Sequence, residues 1–296
     1  MPIDLSIPST GKITLFVEDP LTRDYLREVW ENPIDVVFRL GGGNDGVRAI
    51  VKTFEDEGHP NVFGVTDRDF REANRDEWFN PAKTFRTFVL PVHEIENCLL
   101  HADALHASTF HNRNLSRDDI ENRMSVKAKD LCWWAACRET IAELKRRFRE
   151  PFVPDPSQAI GDRNAAIAHI CNSPWFAKLG GEAARSERSD IEDLLASDHL
   201  RMSDRLADGT WRQDFPGKEI LRGVAGWMCD RPAMHRFPSR DSDFYSDLAK
   251  EIGRWQVAND DVPDHLKALL EALRRRIANA RSVSGSSASG DGLEQT

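Results

Sequence analysis

Four acidic residues in the first hundred positions have the types and spacing to do chemistry. They are Glu18 in FVED, Asp67 and Asp69 in VTDRDF, and Glu96 in HEIEN. Gathered at one place, such carboxylates repel. Two unit charges about 4 Å apart cost roughly 4 kcal/mol at an effective dielectric of 20. Several such pairs would consume much of a domain's ~5–15 kcal/mol stability. A hard cation removes that cost. Mg²⁺ suits the donors best, because it takes oxygen ligands, keeps waters and works with one or two carboxylates plus a substrate phosphate. Mn²⁺ accepts the same donors. The matching chemistry is metal-assisted phosphoryl transfer or phosphodiester hydrolysis. Taken singly, each acid is as well explained by pairing with Arg68, Arg71 or Lys12. Their placement at three strand ends, in this order, is what points to a site.

Those strand ends follow from the local pattern. Lys12–Val17, Ile34–Leu40, Asn61–Thr66 and Phe85–Leu90 read as short β-rich runs. Leu21–Trp30 has helical spacing, with Leu21, Tyr25, Leu26 and Val29 on one face. Gly41-Gly42-Gly43 reads as a turn. Asp45 then caps a helix to about Glu57 that carries Val47, Ile50, Val51 and Phe54 inward. Strands and helices that alternate through short links predict a parallel α/β sheet. Ligands bind such sheets beyond the carboxyl ends of the strands. Glu18, Asp67 and the segment 93–97 all fall there. Strand alternation is expected to send Asp67 and Asp69 to one side and Arg68 to the other.

After about residue 110 helical signals dominate. The spacing predicts one long helix from Ser125 to Glu150, and others over Gln158–Cys171, Asp190–Leu200, Lys218–Met228, Phe244–Gln256 and Asp264–Asn279. Six of the tryptophans, among them the Trp133-Trp134 pair, lie in this part and imply an aromatic core. The reading is thus an α/β unit over 1–110, a mainly helical unit over 111–280, and a disordered Gly/Ser-rich tail over 281–296.

Composition narrows the partners. The chain has 296 residues, 49 acidic against 40 basic, and a formal net charge of −9. Bulk electrostatics therefore cannot hold nucleic acid, so any phosphate contact needs a local basic patch or a metal. No apolar run approaches the ~20 residues that span a bilayer. The start lacks a signal-peptide pattern. The five cysteines form no C-x-x-C pair, which argues against structural zinc and disulfides. A cytoplasmic protein with no membrane partner is expected.

The acidic pattern resembles a TOPRIM domain, with Glu after the first strand, Asp-x-Asp after the third and a further acid downstream. More narrowly, LFVED, LGGGND, VFGVTDRDF and VHEIENCLL resemble the DUF4435 branch of OLD-like TOPRIM proteins. Pro216-Gly217-Lys218-Glu219-Ile220-Leu221 is similar to that branch's later "GK-x-L-L" segment. Asp19 stands where many TOPRIM proteins have Gly. The resemblance covers residues 12–101 and this short patch. It implies a Rossmann-like parallel sheet flanked by helices and followed by a mainly helical region. It also implies a Mg²⁺-dependent nuclease. Asp67 and Asp69 would hold the metal, Glu96 would add a direct or water-mediated ligand, and Glu18 would ligate or act as general base or acid. His93 and Glu94 would support them. In PARIS-type anti-phage systems a protein of this branch is a toxic effector: an ABC-type ATPase holds it, and on release it dimerises and cleaves host tRNA. The resemblance therefore implies an ATPase partner, a homodimer when active, and tRNA as the favoured substrate. A catalytically silent subunit that regulates the ATPase is the alternative.

Other signals are weaker. Lys218 opens a helix and so is placed to meet a phosphate. Arg146, Arg147 and Arg149 form a basic cluster that would track a nucleic-acid backbone, and Arg274–Arg276 form a second. Gly41–Gly46 matches G-x-G-x-x-G, but it follows the second strand, and Glu18 occupies the edge a dinucleotide phosphate needs. His101, His106 and His111 do not share a helical face. No P-loop is present. Tyr25 and Tyr245 lie in plain amphipathic helices, which argues against a topoisomerase nucleophile.

Overall fold

A computed structural model of the chain describes residues 11–70, 86–111, 114–148, 153–229 and 238–286. Four parallel strands form one sheet: β1 Ile13–Val17, β2 Val36–Leu40, β3 Val62–Thr66 and β4 Thr87–Val89, in the order β2-β1-β3-β4. All five residues of β1 and of β3 are buried. This is why both read as mainly apolar runs, broken only by Thr14 in β1 and by Gly64 and Thr66 in β3: a parallel strand covered on both faces has no polar side to show.

The two faces are covered differently. Helix α1 (Pro20–Val29) shares a cluster with Ile13, Leu15 and Val17. Helix α2 (Asn44–Asp56) packs its Val47, Ile50, Val51 and Phe54 with Phe16 and Val62 on the opposite face. The chain therefore winds outward in both directions from β1 and β3. The crevice beyond the carboxyl ends of these two strands is the switch point where ligands bind such sheets. The α/β architecture and the following helical region are as expected.

After β4 come a short 3-10 helix, Ile95–Leu99, and helices α3 Ala102–Ala107, α4 Arg117–Asp130, α5 Cys132–Arg147, α6 Arg163–Cys171, α7 Gly181–Asp208, α8 Trp211–Asp214, α9 Gly217–Met228, α10 Pro238–Ala258 and α11 Asp264–Ser286. Several bounds differ from the sequence reading. The single helix predicted over 125–150 is two. Ser116 and Asp119 form a reciprocal capping box that starts α4 at Arg117 rather than Ser125, and the chain breaks at Leu131 before α5. Asp162 caps α6, so residues 158–162 are not helical. Helix α7 is far longer than Asp190–Leu200, because its polar stretches still carry good helix formers. Asp45 lies in the first turn of α2 rather than capping it; the cap is Gly43, at φ 105°, a conformation that favours glycine. Helix α11 runs to Ser286, past the point where the tail was expected to begin; residues 287–296 lie outside the described residues.

One apolar core joins the two halves, running from Ile13 to Leu273. The hydroxyl of Tyr25 on α1 donates to Gln256 Oε1 on α10 at 2.7 Å, and Gln256 Nε2 donates to the Cys98 carbonyl at 3.0 Å. Trp30 Nε1 donates to the Leu266 carbonyl at 3.0 Å. Among the described residues, no helix is long and apolar enough to cross a membrane.

Candidate functional site

Glu18 follows β1 directly, and Asp67 follows β3. The Asp67 N–H donates to Glu18 Oε1 at 2.8 Å, so these two acidic residues stitch the two strand ends together. Asp67 Oδ1 in turn accepts the Ile95 N–H at 3.0 Å. The first turn after β4 is thereby held against the acidic loop. The Asn44 amide, at the start of α2, donates to the Asp67 carbonyl at 3.2 Å. The glycine turn thus serves to bring α2's first residue to this edge.

Asp69 N–H donates to the His93 carbonyl at 2.8 Å, and His93 N–H donates to Gln213 at 2.7 Å. Asp69 sits at φ 53°, a left-handed conformation that Asp tolerates better than most residues. The expected strand alternation therefore does not operate: β3 ends at Thr66, and a turn sets the directions. The separation itself holds. Asp69 adds to the field at Asp67. Arg68 points elsewhere, to Asp214 at 2.5 Å, and does not neutralise the acidic group. Arg71 lies outside the described residues.

Glu94 and Asn97 form a reciprocal cap on the 3-10 helix. Asn97 Nδ2 also donates to the carbonyls of Arg212 and Phe215, at 2.7 Å each. Gly217 completes the clamp: a Cβ there would lie 2.5 Å from the Asn97 nitrogen. This contact brings the start of α9 to the site, where the Lys218 N–H donates to Glu94 Oε2 at 2.8 Å. Lys218 thus lies beside the acidic group. Glu94, offered as a supporting residue, is the hinge between 3-10 helix and α9. Asp19 is extended at φ −146° and caps α1 through the Thr22 N–H, so no glycine is required in its place.

The electrostatics carry the signature of crowded carboxylates. Burial raises the Asp67 pKa well above the carboxylate range, and Glu96, Glu18, Glu94 and Asp69 raise it further. Glu96, 4% exposed, is pushed up to about 8 by burial first, then by Glu94 and Asp19, with Lys218 opposing. Glu94 rises to about 6 for the same leading reason, tempered by the Lys218 N–H and ammonium. Glu18, Asp67, Asp69 and Glu94 retain partial solvent access.

These oxygen donors, mutually repelling and open to solvent on one side, match the chemistry of a hard divalent cation. Yet no group of three or more His, Cys, Asp or Glu among the described residues is positioned as a ready-made metal cage. Glu18 and Asp67 each spend one oxygen on a backbone N–H. An ion held here would therefore take one or two of these carboxylates and complete its shell with water.

His93 is 1% exposed, packs edge-on against Phe70 with ring centroids 4.6 Å apart, and has a depressed pKa, from burial and then from Arg68, Arg138 and Arg205. It is a neutral packing residue. Arg138 stacks over Phe70 at 4.5 Å, and Arg146 Nη1 donates to the Phe70 carbonyl at 3.0 Å, so α5 fixes the end of the acidic loop. Arg146 and Arg147 both pair with Glu143; they stand beyond Arg68 and are not with the carboxylates. Arg149 lies outside the described residues. Arg274 pairs with Asp35 at 2.8 Å. Trp134 is buried, and Trp133 stacks on His199 at 3.6 Å.

Sequence reasoning missed the roles of Asn44 and of the clamp made by Asn97 and Gly217. Only Asn97 left a trace, since Glu94-x-x-Asn97 has the spacing of a capping box. A scan against protein-family models and a search of curated proteins each found no match to this chain.

Proposed function

We propose that the chain is a Mg²⁺-dependent nuclease that hydrolyses phosphodiester bonds at the carboxyl edge of its sheet. One observation carries this reading: Glu18, Asp67, Asp69 and Glu96 share one edge at the switch point, where burial and then the neighbouring carboxylates drive the pKa values of Asp67 and Glu96 upward. Asp67 and Asp69 would hold the metal, with Glu96 as a further direct or water-mediated ligand and Glu18 as ligand or base. When bound, Mg²⁺ supplies charge neutralisation at the scissile phosphate and a more acidic water. The chain's own residues do the rest. The Asp67 N–H keeps Glu18 beside the acidic loop. Lys218 offers an ammonium to the phosphate's growing negative charge. Glu94, tied to the start of α9, keeps that lysine in reach.

RNA, and tRNA in particular, is the substrate favoured by the resemblance to effectors of ATPase-coupled anti-phage systems, as are an ABC-type ATPase partner and an active homodimer. A second reading has its own support. The engagement of Glu18, Asp67 and Glu94 by backbone N–H groups, with no preformed metal cage among the described residues, suits a silent binding subunit that regulates such an ATPase. Cleavage of total tRNA, single-stranded DNA and supercoiled plasmid separates the two. Reactions would contain Mg²⁺ or EDTA, with Glu18→Ala as control. Metal-dependent cutting that falls by at least about 100-fold in the variant supports the nuclease. No cutting by the folded chain with Mg²⁺ overturns it in favour of the silent subunit.

A further inference from the structure

A second charged cavity, of about 370 Å³, lies on the far side of the Asp67–Asp69 loop, between α5 and α7. Its character is the reverse of the acidic edge. Arg68, Arg146, Arg147, Arg201 and Arg205 line it, against Glu139, Glu143 and Asp198. Asp214 pairs with Arg68 at 2.5 Å and with Arg205 at 3.3 Å. Arginines outnumber carboxylates even with Asp214 counted, in a chain whose formal net charge is −9.

The arginines are not fully satisfied. The Arg68 side chain is 6% exposed, and its Nε has no hydrogen-bond partner among the described residues. Arg201 Nε is likewise buried without a partner there. A buried donor left unpaired is costly and calls for an explanation. The Arg205 pKa is lowered by burial, and Arg201 and Arg68 add to the lowering, so these cations crowd one another. Glu139 is pushed up to about 6, chiefly by burial, which weakens the negative charge facing them. An incoming anion would relieve both conditions.

Lining chemistry narrows the ligand. Arginine's planar fork matches phosphate oxygens two at a time. The volume falls within the range of small-molecule sites. Leu194 is the one apolar side chain in the lining, so a nucleobase or lipid tail has nothing to pack on. We propose that this cavity binds a compact phosphorylated ligand, a phosphate monoester or pyrophosphate, at a site distinct from the acidic edge. The two sites touch the same tripeptide: Arg68 serves the cavity while Asp67 and Asp69 serve the edge. The proposal does not depend on the nuclease reading.

Calorimetric titration of the full chain with pyrophosphate, metal-free and at low ionic strength, tests it. Saturable one-to-one binding is expected. Arg147→Gln with Arg201→Gln should weaken it by at least about tenfold. Both side chains are more than two-fifths exposed, so the fold should survive, and circular dichroism would verify that. Arg68→Lys keeps the charge but loses the fork and should also weaken binding. Glu18→Gln should bind as the unaltered chain does. A matched pair of oligonucleotides, 5′-phosphorylated and 5′-hydroxyl, identifies the source of the phosphoryl group. Phosphate-dependent binding lost in the double variant supports a nucleic-acid end; pyrophosphate binding alone supports a free small phosphate. Absence of saturable pyrophosphate binding overturns the proposal, as does unchanged binding in the folded double variant or loss of binding in Glu18→Gln.

Discussion

Glu96 sits in an environment far from the one its carboxyl group prefers. It is buried, faces Glu94 and Asp19, and has its carboxyl pKa raised to about 8. Glu96→Gln removes the charge and keeps the shape. In metal-free buffer at pH 8–9 the variant should unfold about 2–4 °C higher than the parent, a shift worth about 1 kcal/mol for a chain of this size. A thermal melt without divalent ions checks this, and a lower midpoint would show that the carboxylate is already compensated. Cys98 gives the complementary case. Its sulfur lies 3.6 Å from His265 Nε2, a pairing that elsewhere makes a nucleophile. Here burial raises the thiol pKa, with Asp67 and Glu96 adding to it, while burial lowers His265 to about 4. Cys98 should therefore resist iodoacetamide at pH 8 in the folded chain and react only on unfolding, as peptide mass mapping would record.

At the scale of elements, the site depends on one joint. The 3-10 helix meets α9 where Gly217 lies against Asn97, and any side chain there collides with the Asn97 backbone nitrogen and with its amide, which is itself held by hydrogen bonds. Gly217→Ala should cost about 1–3 kcal/mol in urea denaturation, the range for overpacking a tight contact. Asn97→Ala leaves the carbonyls of Arg212 and Phe215 and the Glu94 N–H without their donors or acceptor. Each orphaned buried group costs about 1–3 kcal/mol, so this variant should be the more damaging. Either change should displace Lys218 from the acidic edge before it alters the sheet. If both variants kept parental stability, α9 would not be anchored through this joint.

For the whole molecule, the raised carboxyl pKa values set the pH response. An unfolded glutamate loses its proton near its ordinary pKa of 4.5, whereas folded Glu96 keeps it to about 8 and folded Glu94 to about 6. Between those limits the native state binds more protons than the unfolded one, so stability falls as pH rises. Metal-free melting temperatures should therefore decline from pH 5 to pH 9. Mg²⁺ binding to the native state should raise them, and by more at pH 8 than at pH 5, since protonated carboxyls are poor ligands. An increment that is equal at the two pH values would place the ion elsewhere.

The sequence by itself determined the parallel sheet, because strands buried on both faces and helices with one apolar stripe leave period and run length that can be read directly. It also determined which carboxylates lie at the strand ends, and hence that Glu18, Asp67, Asp69 and Glu96 share an edge. Helix bounds were less legible: a break at Leu131 and a helix reaching from Gly181 to Asp208 depend on packing and capping more than on periodicity. Only the tertiary structure decided the long-range pairings. Arg68 could have neutralised its neighbours, yet it pairs with Asp214, 146 positions away. Gly217, Asn97 and Lys218 come together across 120 residues, and the arginine cavity draws on three separate segments. Local sequence fixes local geometry through steric and hydrogen-bond preferences. Which charges meet across the chain depends on how the helices pack, and no short-range pattern encodes that.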